Sequence, residues 1–163
     1  IARFDGKLDE AETGYRQAMQ LLKSIGSRSA ILPQLNLALV LLHRGEYEKA
    51  RDQLEPGVAV LASRGQRGFL AWARACLLVC EAHAGHVEQW REQLEEVTSL
   101  LEETSMVDPD IAWAARLAGD LLSSAGHFGL ARATYSLAIG QLTTLGNTAE
   151  ASALTGVRDG LPG

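Results

Sequence analysis

Gly45-Glu46-Tyr47-Glu48-Lys49-Ala50 returns as Gly85-His86-Val87-Glu88-Gln89-Trp90, and once more as Gly126-His127-Phe128-Gly129-Leu130-Ala131. In each copy a glycine ends an apolar stretch. An aromatic or apolar residue follows two positions on, and the fifth position holds Ala50, Trp90 or Ala131. Gly6, with Leu8 and Ala11 in the same places, carries the series back to the N-terminus at intervals of 39, 40 and 41 residues. Self-similarity at such a period marks a solenoid, in which one supersecondary unit stacks on copies of itself. A helical solenoid presents a surface, so binding is expected and catalysis is not.

Working outward from the glycines, every segment reads helical and no strand is needed. Leu8, Ala11, Tyr15, Ala18 or Met19, and Leu22 fall at helical spacing, predicting a helix from Leu8 to Ile25 that Gly26-Ser27-Arg28-Ser29 breaks. The next helix runs from about Ala30 to Arg44, with Pro33 delaying its regular start. Its partner covers Tyr47 to Ser63 and contains Pro56-Gly57, a local breaker. The kept period favours a kinked or loosened helix there over a domain boundary. Gly65 to Gly68 is a link; Phe69 to Ala84 pairs with Val87 to Glu103. Asp108-Pro109 reads as an N-cap followed by proline in the first helical position. It opens Asp110 to Ser124, which pairs with Phe128 to Leu145. Asn147 and Glu150 have capping-box spacing, opening a last helix to about Val157 that offers Ala149, Ala153, Leu154 and Val157 to the final pair. The expected organisation is one domain over 1–163: an incomplete leading repeat at 1–28, repeats at 29–65, 66–105 and 106–146, and a capping helix and tail at 147–163.

Composition supports a globular helical chain. Of 163 residues, 47% are hydrophobic and 21% charged, enough apolar surface for a continuous core. The net charge of −5, without a basic run, argues against nucleic acid. Asn36, Arg74 and Glu81 interrupt the apolar stretches well before the roughly 20 residues a membrane helix needs. The chain opens on Ile1, inside a repeat, so it is expected to be part of something longer. Arginine far outnumbers lysine and alanine is abundant, a hint of a GC-rich bacterial genome.

Within each pair the pattern is finer. Seven positions before the turn glycine stand Ala38 and Gly119, small residues, with Leu78 as the exception; Leu37, Leu77 and Ala118 precede them. Nine positions after it stand Leu54, Leu94 and Tyr135. Small residues let two helices approach while larger ones interlock around them. Gly119 and Ala131 are therefore expected to hold the last pair close. In the pair before it, Leu78 and Trp90 should force the helices apart or out of register.

Leu35-Asn36-Leu37-Ala38 together with Gly45-Glu46-Tyr47-Glu48-Lys49-Ala50 resembles the tetratricopeptide repeat (TPR), in its longer form of about 40 residues. The resemblance spans almost the whole chain. It implies an all-α, right-handed superhelix of antiparallel helix pairs. Repeats of this length resemble those of bacterial signalling kinases and ATPase-type regulators, of peptide-sensing regulators and of kinesin light chains. By that analogy the chain is a protein–protein interaction scaffold, the partner a protein or peptide segment, the location cytoplasmic, with no catalysis of its own. The alternative is a domain that senses a small ligand or peptide and controls an attached enzyme. Homodimerisation is compatible with either, as is an accessory role beside an active site elsewhere.

In the family it resembles, the first helix of each pair lines a concave groove. Carried over by position, that lining is Leu35, Leu39 and His43, then Trp72, Ala75, Val79 and His83, then Trp113, Arg116, Asp120 and Ser124. It runs from apolar to polar along the chain and lacks the Lys and Asn pattern that clamps a peptide carboxylate. Internal packing of the same positions is the competing reading.

Other constellations read structurally. Cys76, Cys80 and His83 share one helix face, with His86 beyond the turn, a spacing that could hold zinc. Their setting, Ala75-Cys76-Leu77-Leu78-Val79-Cys80, is apolar, and cysteine there packs as a small hydrophobe. No metal and no cofactor are expected. A disulfide between Cys76 and Cys80 is disfavoured by geometry, and the pair suits a reducing compartment. His43, His86 and His127 belong to the turns. No phosphate loop, nucleophile elbow or paired acid motif occurs. Glu92, Glu95, Glu96, Glu102 and Glu103 read as a solvated face.

Overall fold

The computed structural model describes residues 7–27 and 30–163. The described residues form eight α-helices and no strand: α1 Leu8–Ser24, α2 Ile31–His43, α3 Tyr47–Ser63, α4 Arg67–Ala84, α5 Val87–Thr104, α6 Pro109–Ser124, α7 Phe128–Thr144 and α8 Thr148–Asp159. Gly6, Arg28 and Ser29, read as turn positions, lie outside the described residues. The chain divides into two compact units, the first ending at Gly65 and the second running from Gln66 to Gly163. In the first, α2 packs on α1 and on α3. In the second, α4 packs on α5 and on α6, α6 on α7, and α7 on α8.

The recurring glycine makes the same cap each time. Gly45, Gly85 and Gly126 have φ of 74°, 71° and 82°, the left-handed region that an L side chain enters at a cost. The residue after the glycine then donates its N–H to the carbonyl five positions back: Glu46 to Leu41 at 2.9 Å, His86 to Glu81 at 3.1 Å, His127 to Leu122 at 2.9 Å. These bonds satisfy carbonyls that the last helical turn leaves without a donor, and the chain reverses there. The helix boundaries therefore fall where the glycines place them.

Helices within a pair bury different amounts. In α2, Ile31, Leu35 and Leu37 to Leu42 are all buried; in α4, Leu70 to Ala73 and Ala75 to Ala82 are. Helices with apolar residues on most of their circumference are enclosed on most sides. Their partners bury a stripe: Ala50, Leu54, Gly57 and Leu61 in α3, and Trp90, Val97 and Leu100 in α5. The five glutamates Glu92, Glu95, Glu96, Glu102 and Glu103 on the outer side of α5 are exposed, as their clustering implies.

Two local expectations change. Pro56 lies inside an unbroken α3, with its side chain exposed. Gln34 of α2 donates to the Gln53 carbonyl at 2.8 Å, one residue on from Asp52, whose carbonyl is the one the proline cannot serve. Gly57 is a contact residue and not a breaker: a Cβ there would come within 3.1 Å of Leu35 Cδ2 and 3.3 Å of Ile31 Cδ1.

The capping box at α8 does not form. Asn147 makes no side-chain cap bond, and its N–H donates back to Leu142 O at 2.9 Å in another glycine cap. Glu150 instead accepts from Arg116 at 2.9 Å. The face of α8 that is buried carries Ala151 and Leu154, while Ala149, Ala153 and Val157 are exposed.

Gly119 packs closely on the partner helix α7, as its small-residue position implies, and the side chain it meets there is Tyr135. A Cβ on Gly119 would fall 2.5 Å from Tyr135 Cε1, so the phenol ring occupies the space that the glycine leaves. Ala131 is fully buried elsewhere along the same helix.

Candidate functional site

The transferred groove residues separate by exposure. Leu35, Leu39, Trp72, Ala75 and Val79 are buried, Trp72 the least so at 7% exposed. Side chains closed to this degree offer a partner no surface in this conformation. His43 and Trp113 are half-buried, and His83, Arg116, Asp120 and Ser124 are exposed. Leu35, Leu39 and His43 lie on α2 in the first unit. The rest lie on α4 and α6, which stand side by side in the second.

What remains open to solvent is concentrated on α6. Trp113, Arg116, Asp120 and Ser124 follow one another at intervals of three and four residues, so they share one helix face. Asp108 starts this helix. It has extended backbone angles and accepts from the Asp110 N–H at 2.8 Å, with Pro109 in the first turn. The preceding link is held from α7 by the buried Gln141, whose Oε1 accepts from Asp108 N at 3.0 Å and whose Nε2 donates to Met106 O at 3.2 Å.

Two side chains of the face are fixed by neighbouring helices. Arg116 Nη1 lies 2.9 Å from Glu150 Oε1 on α8. Asp120 Oδ1 accepts from the Tyr135 hydroxyl at 2.8 Å. Tyr135 is 2% exposed, and its pKa is pushed up to about 12. Burial is the leading cause; the bond to Asp120 and that carboxylate's charge add to it. Asp120 is thus held by a neutral donor, which leaves its charge available outward. The arrangement is a row of one aromatic, one cation, one anion and one hydroxyl, of which the cation is held from α8 and the anion from α7. It can make polar contacts along an elongated ligand, and it holds no nucleophile activated by a base.

Sequence reasoning missed the supports of this face. Tyr135 was visible only as a large residue at a repeat position, Gln141 as one glutamine among others, and Glu150 as half of a capping box. Glu81 was noted only as a break in an apolar stretch: it is 5% exposed in α4, and its Oε2 lies 3.0 Å from Nδ1 of the turn residue His86. Cys76 and Cys80 are buried and not joined to each other, and Cys80 Sγ donates to Cys76 O at 3.8 Å. His83 is exposed on the same helix. Among the described residues no three His, Cys, Asp or Glu side chains are placed to hold a metal ion. None of the described helices is long and apolar enough to cross a membrane.

The chain matches no protein-family model and no curated protein.

Proposed function

We propose that the chain is a helical-repeat solenoid of the tetratricopeptide type, acting as a non-catalytic protein–protein interaction module in a larger cytoplasmic regulatory protein of bacterial origin. The observation that carries the reading is the polar face of α6. Trp113, Arg116, Asp120 and Ser124 stand in a row on a first helix, beside the first helix of the preceding pair, and supports on α8 and α7 keep Arg116 and Asp120 in place. Pre-positioned side chains bind with less ordering cost, and aromatic and arginine anchors contribute most. The partner is an extended or helical protein segment laid along that row, with its apolar side chain at Trp113 and its polar ones at Arg116 and Asp120. The apolar groove positions on α2 and α4 serve the core, so contact with the partner centres on α6. Two buried thiols suit a reducing compartment.

The test is selection of binding peptides from a displayed library on the intact chain, followed by titration of the selected peptide against Trp113→Ala, Arg116→Ala and Asp120→Ala. Loss of about 1–4 kcal/mol of binding at Trp113, with smaller, salt-dependent losses at the two charges, supports the reading. Thermal melts of the same variants separate lost binding from lost fold. Peptides that bind all three variants as well as the parent place the site elsewhere.

A further inference from the structure

We draw no further inference here: the strongest candidate, the trough of about 430 Å³ that Arg74 of α4 shares with Glu92, Gln93, Glu95, Glu96 and Ser99 of α5, is a cluster of carboxylates around an arginine already held by Gln93, and nothing else in the structure shows what would fill it.

Discussion

The pairs α4/α5 and α6/α7 follow one positional plan and fill it in opposite ways. Seven positions before the turn glycine, α4 carries Leu78 and α6 carries Gly119; five positions after it, α5 carries Trp90 and α7 carries Ala131. All are buried. In α4/α5 the bulk is divided between Leu78 and Trp90. In α6/α7 it is gathered into Tyr135, whose ring lies directly over Gly119. What the repeat holds to is the filling of the space between two helices, not the identity of the residue that fills it. The polar ends of the two aromatics differ as well. The Tyr135 hydroxyl reaches Asp120 at 2.8 Å, whereas Trp90 Nε1 is buried without an acceptor. Only the first arrangement ties a core residue to an exposed one.

The largest expected effect lies in the pair with divided bulk. Leu78 is fully buried, so Leu78→Ala removes packed methyl groups and leaves a cavity, at a cost of about 2–5 kcal/mol. Urea unfolding of the full chain measures this directly. The equivalent place in α6 is a glycine, yet a small residue is not tolerated at both. If Leu78→Ala unfolds at the parent's urea midpoint, the positional equivalence of the two pairs is wrong.

Adding volume should hurt the other pair. Gly119→Ala puts a Cβ where Tyr135 Cε1 and Cδ1 already stand, at 2.5 and 2.6 Å, so the ring has to move away from Asp120. Overpacking of this kind costs about 1–3 kcal/mol. The double variant Gly119→Ala with Tyr135→Leu should recover part of that loss, because residues in contact are not additive. Strict additivity would mean that the ring and the glycine do not compete for the same space.

These contrasts show what sequence can and cannot convey. The helix limits were legible because Gly45, Gly85 and Gly126 each demand a left-handed backbone that little else supplies, and the cap then fixes both neighbouring helices. Asp108-Pro109 was legible for the same reason, since its chemistry is local. Contacts between helices were not. Gly57 in Pro56-Gly57 looks like a breaker until the side chains of Leu35 and Ile31 are seen against it. Glu150 has the spacing of a capping box, but Arg116, 34 residues away, takes its carboxylate. For the groove, the resemblance implied which helices would line it. It could not tell Leu39 or Val79, which are buried, from Asp120 or Ser124, which are exposed, because a first helix enclosed on most sides carries both kinds of position.

The hydroxyl of Tyr135 gives a smaller effect with a defined pH range. Its folded pKa is raised from 10.0 to about 12, so between those values the folded chain keeps a proton that the unfolded chain has lost. Stability from this group is therefore complete below about pH 10 and falls away as pH rises toward 12. Tyr135→Phe removes the bond to Asp120 and should cost about 0.5–1.5 kcal/mol at neutral pH. The gap between parent and variant should narrow steadily above pH 10. Phenolate absorbance of the folded parent, compared with that of Tyr135→Phe, should differ by a component that titrates near pH 12. If the component lost in Tyr135→Phe titrates near pH 10 instead, the burial of Tyr135 is wrong and, with it, the tie that holds Asp120.

The smallest effect concerns how the second helix of each pair ends. After α7 the chain turns at Gly146, with φ of 80°; after α5 it turns at Ser105, with φ of 52° and a side chain that this region disfavours. The serine is tolerated because the link it starts is held elsewhere: Gln141 pins Met106 and Asp108, and Met106 N donates to Thr104 Oγ1 at 3.3 Å. Ser105→Gly relieves the strained backbone but widens the unfolded ensemble, for a net gain of about 0.5 kcal/mol. Gly146→Ser runs the exchange the other way, with no glutamine clamp on its turn, and should cost more than Ser105→Gly gains. Thermal melts of the two variants side by side decide the matter. If both shift the midpoint equally in opposite directions, the clamp contributes nothing, and the two helix ends differ only in the residue at the turn.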